Sequence, residues 1–147
     1  MIQSSKYHRA FRLHVLIMLI ALVSEFILGM YTTFFVKFPD TLVDGNAWEW
    51  SMSQSAVVMA HVLLGTLMVL IALSAFGFSV AAKSKAAIIT AVLGAAMILV
   101  AYLSGSTFLG NIENDNYSFS MAIGFLGAIV TYGLAYYLTR PSLLTTN

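Results

Sequence analysis

The sequence predicts an all-α fold: an antiparallel four-helix transmembrane bundle, both termini cytoplasmic, built as a single domain over residues 1–147. Three observations carry that reading. The chain is 60% hydrophobic and only 9% charged, whereas soluble domains run near a quarter charged. Its apolar residues gather into four stretches, each close to the roughly 20 residues that a spanning helix needs. The charges then segregate: six of the seven basic residues fall on one side of those stretches and, apart from Glu25, the acids on the other.

The first helix is expected over residues 11–37, after Lys6, Arg9 and Arg12. A basic start and an apolar centre also describe a secretory signal. Here no small-residue cleavage site follows, and Glu25 interrupts the place where one would lie, so the segment reads as a retained anchor. A polar stretch follows, with Pro39, Asp40, Asp44, Gly45, Trp48, Glu49 and Trp50. The tryptophans are expected at the headgroup level.

The second helix spans 55–78, and a short basic turn with Lys83 and Lys85 leads to the third, at 86–108. Asn111, Glu113, Asn114 and Asp115 mark a second polar loop, with Asn116 or Ser118 as N-cap of the fourth helix. That helix covers 118–139 and stops before Pro141. Helices are required because lipid offers the backbone no hydrogen bonds. The alternation of a membrane barrel is absent. The basic ends are assigned to the cytoplasm by the positive-inside rule.

Two residues contradict their apolar surroundings. Glu25 lies deep in the first helix, and an ionisable group there marks a functional site. By helix rise it sits roughly 18 Å from the inner edge. His61, entering from outside, sits roughly 8 Å below the outer edge. The two fall within about one turn of each other in the outer half. Glu25, Gly29 and Thr33 share a face at four-residue spacing, as do His61 and Gly65. Glycines at these places let helices approach closely. Tyr102, Ser104, Ser106 and Thr107 end the third helix at the same level, with Tyr31 and Ser120 within reach. Two ionisable groups so close would titrate as a coupled pair. The alternative to a binding site is interhelical glue that fixes register.

The remaining chemistry is sparse. There are no cysteines, which removes disulfides and thiolate metal sites. A net charge of +1 does not suit nucleic acid. Phosphate loops, paired catalytic carboxylates, zinc signatures and nucleophile motifs are absent. The methionines read as core packing. His8 lies in the polar tail. His14 lies near the inner end, about 20 Å from the level of His61, so one haem cannot be clamped between them.

Short motifs give resemblances. Leu28-Gly29-Met30, Ala60-His61-Val62-Leu63-Leu64-Gly65, Ser104-Gly105-Ser106-Thr107-Phe108-Leu109 and Ser120-Met121-Ala122-Ile123-Gly124-Phe125 together resemble a family of uncharacterised prokaryotic four-helix integral membrane proteins. That likeness implies a multi-pass protein of the cytoplasmic (inner) membrane and carries no function with it. His61 on a four-helix unit is also similar to one half of heme A synthase, which implies haem with His61 as the one matching ligand. Glu25 with Gly29 and Thr32 resembles the first helix of small multidrug transporters.

The functional expectation is a binding or accessory subunit of a membrane complex, respiratory complexes included, rather than an enzyme. Its ligand-binding residues would be Glu25, His61, Tyr102, Ser104 and Ser106, with no catalytic residue. Haem and a quinone are the cofactors considered, neither fixed by the sequence. The partners are the lipid bilayer and other membrane subunits or further copies of the chain. The alternatives are a proton-coupled small-molecule transporter using Glu25 and a haem-related membrane enzyme.

Overall fold

The computed structural model describes residues 2–39, 47–110 and 115–140, and within them it is all-helical. The helices are α1 (Ile2–Phe35), α2 (Ala47–Gln54), α3 (Ala56–Ala81), α4 (Lys85–Gly110) and α5 (Asp115–Leu138). All but α2 are long and apolar enough to cross a membrane, so the chain is a multi-pass membrane protein by length and composition. The four long helices form a closed ring in which α1 packs on α3, α3 on α4, α4 on α5 and α5 on α1. The last of these seams is the thinnest. The short α2 rests on α3 and α4.

The expected spans need adjustment at their ends. α1 begins at Ile2 rather than near residue 11 and stops at Phe35. A preformed helix extends into the polar tail because Lys, Arg and Tyr there are compatible with helix. α5 starts at Asp115, so Asn116 and Ser118 lie inside the helix and neither is its cap. The stretch expected to be a plain loop before α3 holds α2. Within it Trp50 turns onto Phe38, ring centroids 5.2 Å apart, and Phe38 reaches Phe108 at 6.1 Å. Trp50 is therefore half-buried in an aromatic contact.

Hydroxyl caps punctuate α3 and α4. The Ser55 side chain accepts from Val58 N–H at 3.3 Å, which satisfies one of the free donors of a helix start. Lys83 takes a left-handed backbone, φ 55°, and ends α3. Ser84 then accepts from Ala87 N–H at 3.3 Å and starts α4. The chain reverses over three residues, Ala82 to Ser84.

Among the described residues the core mixes many alanines with a few large side chains. Phe11, Val15, Met18 and Leu22 form a buried stripe on α1. They face Met68, Ala72 and Ala75 of α3, Ala87, Ala91 and Ile98 of α4, and Ala128, Tyr132 and Ala135 of α5. The outer surface carries the large side chains, among them Leu63, Leu67, Leu70 and Leu73 of α3. Alanines between the helices and leucines on the outer surface suit lipid, where association comes from close packing and not from hiding leucine from water. At the α4–α5 seam a Cβ on Gly124 would lie 2.7 Å from Ala101 N and 2.9 Å from Met97 O, so only glycine permits that backbone approach.

Candidate functional site

Glu25 and His61 meet. Glu25 Oε1 lies 3.1 Å from His61 Nδ1, with the side chains 11% and 20% exposed. The oxygen lies off the Nδ1 hydrogen-bond direction, so the contact is electrostatic rather than an aligned hydrogen bond. This is the one ion pair among the described residues.

Two glycines make the approach possible, and they do so reciprocally. Glu25 of α1 lies over Gly65 of α3: a Cβ there would stand 3.2 Å from Glu25 Oε1. His61 of α3 lies over Gly29 of α1: a Cβ there would stand 3.3 Å from His61 Cε1. Each polar side chain thus occupies the space that the other helix's glycine leaves open. The four-residue spacing of Glu25 and Gly29, and of His61 and Gly65, places each pair on one helical face.

The ring of His61 is consequently oriented. Nδ1 is buried against the carboxylate and Cε1 against Gly29. Nε2 lies 4.0 Å from the same Gly29 Cβ position, as near as Nδ1. In metal sites a ligating histidine commonly gives its second ring nitrogen to a carboxylate; here Glu25 lies beside Nδ1 without an aligned hydrogen bond. Glu25 Oε2 is also buried, without a hydrogen-bond partner among the described residues.

Tyr102 joins the site from α4. Its ring borders Gly65, with Cδ2 3.9 Å from where a Cβ would stand. Its hydroxyl lies 3.5 Å from the Thr66 hydroxyl, which donates to Val62 O at 2.9 Å. Ser106 is about 40° around α4 from Tyr102 and Ser104 about 200° around. Ser106 therefore shares the flank that faces α3, whereas Ser104 sits on the flank toward α5. Neither serine hydrogen-bonds to Glu25 or His61, and Ser120 does not either. Tyr31 is turned outward, 49% exposed, with its ring 5.0 Å from Phe35. Thr33 is exposed and donates to Gly29 O at 2.9 Å.

Two neighbours were not assigned to the site from the sequence, Thr32 having entered only through the resemblance to small multidrug transporters. Thr32, seven residues past Glu25, returns closer to its face than Thr33 does, and its hydroxyl is buried without a partner among the described residues. Thr66 was hidden by its neighbour Gly65, although a threonine beside the histidine motif was the available signal. His14 is far from the pair in packing as in sequence: its Nδ1 lies 2.8 Å from Ala10 O and its ring 4.6 Å from that of Phe78. Among the described residues no three His, Cys, Asp or Glu side chains cluster as a metal site.

Compared with known proteins, the chain matches no family model, no curated relative and no solved structure. The chemistry of the site is therefore argued from its geometry.

Proposed function

We propose that this chain is a small integral membrane protein in which Glu25 and His61 form a binding site for a small ligand or cofactor, acting as a binding or accessory subunit of a larger membrane complex. The observation that carries the reading is the oriented imidazole. Glu25 Oε1 lies against Nδ1, two glycines let the helices close around the pair, and the Tyr102 ring borders Gly65 next to Glu25. The second ring nitrogen, Nε2, which Glu25 does not contact, suits a group that exchanges a hydrogen bond, such as a quinone carbonyl, or an iron in haem. With one histidine at this level, haem would need its other axial ligand from elsewhere.

The same reading places the helices antiparallel in the cytoplasmic membrane of a prokaryote, with both termini inside. Support comes from the basic residues at one set of helix ends and from two contacts between those ends. Arg12 Nη1 donates to Thr139 O at 3.1 Å, and His14 packs on Phe78.

An absorption spectrum of the purified protein, expressed with added haem, tests the cofactor. A Soret band lost in His61→Leu supports haem at this site, and its absence from the unsubstituted protein removes haem. Tryptophan quenching by a ubiquinone analogue, with His61→Leu as control, tests the quinone; equal quenching of both proteins removes it.

A second reading is proton-coupled transport. It is favoured by the unpartnered Glu25 Oε2, a carboxylate oxygen able to take up a proton or a cationic substrate. On that reading Glu25→Gln abolishes substrate movement driven by a pH gradient in proteoliposomes while the fold survives. Undiminished transport by Glu25→Gln overturns it.

A further inference from the structure

The opposite end of the bundle holds a second constellation. Arg12 of α1 donates from Nη1 to Thr139 O at the end of α5, and its guanidinium carbon stands 4.7 Å from the centre of the Tyr136 ring. Arg140 lies 4.4 Å over the Tyr137 ring, with Nη2 3.5 Å from the Tyr137 hydroxyl. Two arginines and two tyrosines thus frame one end of the α1–α5 seam. Neither arginine forms an ion pair among the described residues. The apolar stretches of both helices border on this end.

The surface below is open. Gly133 lies four residues before Tyr137, whose ring carries Arg140, and so on the same face of α5. It is exposed, and a Cβ there would meet nothing within 4 Å. Farther along, the seam closes where Phe26 of α1 stacks on Phe125 of α5, centroids 6.0 Å apart. The result is a bare strip under two unpaired cations, bounded by an aromatic stack. Leu16 and Ile20 of α1 and Val130 and Leu134 of α5 are exposed and apolar.

We propose that this end of the α1–α5 seam is a binding site for an anionic phospholipid. The Arg12 and Arg140 guanidinium groups take the headgroup phosphate, which suits their planar fork of donors. Tyr136 and Tyr137 hold the guanidinium planes at the interface. One acyl chain lies along α5 over Gly133. This assignment is independent of what Glu25 and His61 bind.

The test uses the purified full-length chain in mild detergent, supplied with phosphatidylglycerol or phosphatidylcholine of identical acyl chains. Retained lipid is read by native mass spectrometry, and the thermal midpoint is followed in parallel. Phosphatidylglycerol is expected to be retained in preference and to raise the midpoint. Arg140→Gln removes an exposed charge without touching the Arg12–Thr139 bond, and is expected to weaken retention about fivefold. Gly133→Leu is expected to weaken long-chain lipid while the protein stays folded. Equal retention of the two lipids overturns the proposal. So does an equal loss in Lys83→Gln, which would show attraction by net charge alone. Equal protection by glycerol phosphate would remove the acyl strip and with it the lipid assignment.

Discussion

Glu25 and His61 each lean on a glycine of the other's helix, and that reciprocity sets what single substitutions should do. The pair is partly exposed, 11% and 20%, and its contact is not an aligned hydrogen bond. Fully buried pairs lose about 3–5 kcal/mol when one partner is removed, whereas polar contacts between membrane helices average about 0.6 kcal/mol. The lower figure applies here, so His61→Leu should destabilise the fold by about 1 kcal/mol or less in reversible SDS unfolding. A loss near 4 kcal/mol would mean the pair is chiefly structural. Gly65→Ala is more selective. Its Cβ would press on Glu25 Oε1 at 3.2 Å, so the carboxylate must shift by a few tenths of an ångström. Ligand affinity at His61 should fall while the unfolding midpoint stays within the range of a surface change. An unchanged affinity would show that Glu25 does not position the ring. At this scale the sequence was legible where chemistry clashed with environment: an acid and an imidazole stand out in apolar runs at any helix rotation. Thr32 lies nearer the face of Glu25 than Thr33 by helix period alone, whereas choosing Ser106 over Ser104 needs the rotation of α4, which is fixed only by the neighbouring helices.

At the scale of elements, the glycines of α4 and α5 divide by what they face. A Cβ on Gly124 would strike backbone, Ala101 N at 2.7 Å and Met97 O at 2.9 Å, and backbone cannot rotate away. On Gly94 it would strike the Tyr132 ring at 2.7 Å, and on Gly127 the Met97 sulfur at 2.5 Å. A methionine chain bends most readily. Alanine substitution should therefore cost most at Gly124, next at Gly94 and least at Gly127, with the first two in the range of about 1–3 kcal/mol seen for overpacking. Gly77→Ala meets nothing within 4 Å and should be neutral or stabilising by about 0.5–1 kcal/mol through helix propensity. Thermal unfolding of the four variants tests the order, and a Gly127→Ala loss exceeding that of Gly124→Ala would contradict the seam geometry. Ser55→Ala should cost about 1 kcal/mol by removing the cap of α3. The long helices were legible because their apolar length is a one-dimensional property. α2 was not, since eight residues with Glu49, two tryptophans and three serines or glutamines carry neither a spanning length nor a clear period, and its helix depends on packing against α3 and α4.

For the whole molecule, the remaining question is which end faces the cytoplasm. Packing cannot decide it, because the ring of helices is equally satisfied either way up in hydrocarbon. The decision lies with the charges that must stay on their own side during insertion. Lys6, Arg9, Arg12, Lys83, Lys85 and Arg140 flank one set of helix ends, against Lys37 at the other, and short flanks of this kind govern orientation. The chain has no cysteine, so a single introduced thiol reports its side without background. Ser84→Cys lies in the turn between α3 and α4, and Gln54→Cys at the exposed end of α2. In intact cells a membrane-impermeant maleimide should label Gln54→Cys and leave Ser84→Cys untouched until the membrane is opened. The reverse pattern would place the Glu25–His61 pair nearer the inner face and defeat the orientation drawn from charge. Labelling of both in a fixed ratio would show dual insertion, which an excess of six basic residues to one should prevent. Lys83→Gln with Lys85→Gln, which removes the cations of the turn, should then raise labelling of Ser84→Cys if those cations hold the turn inside.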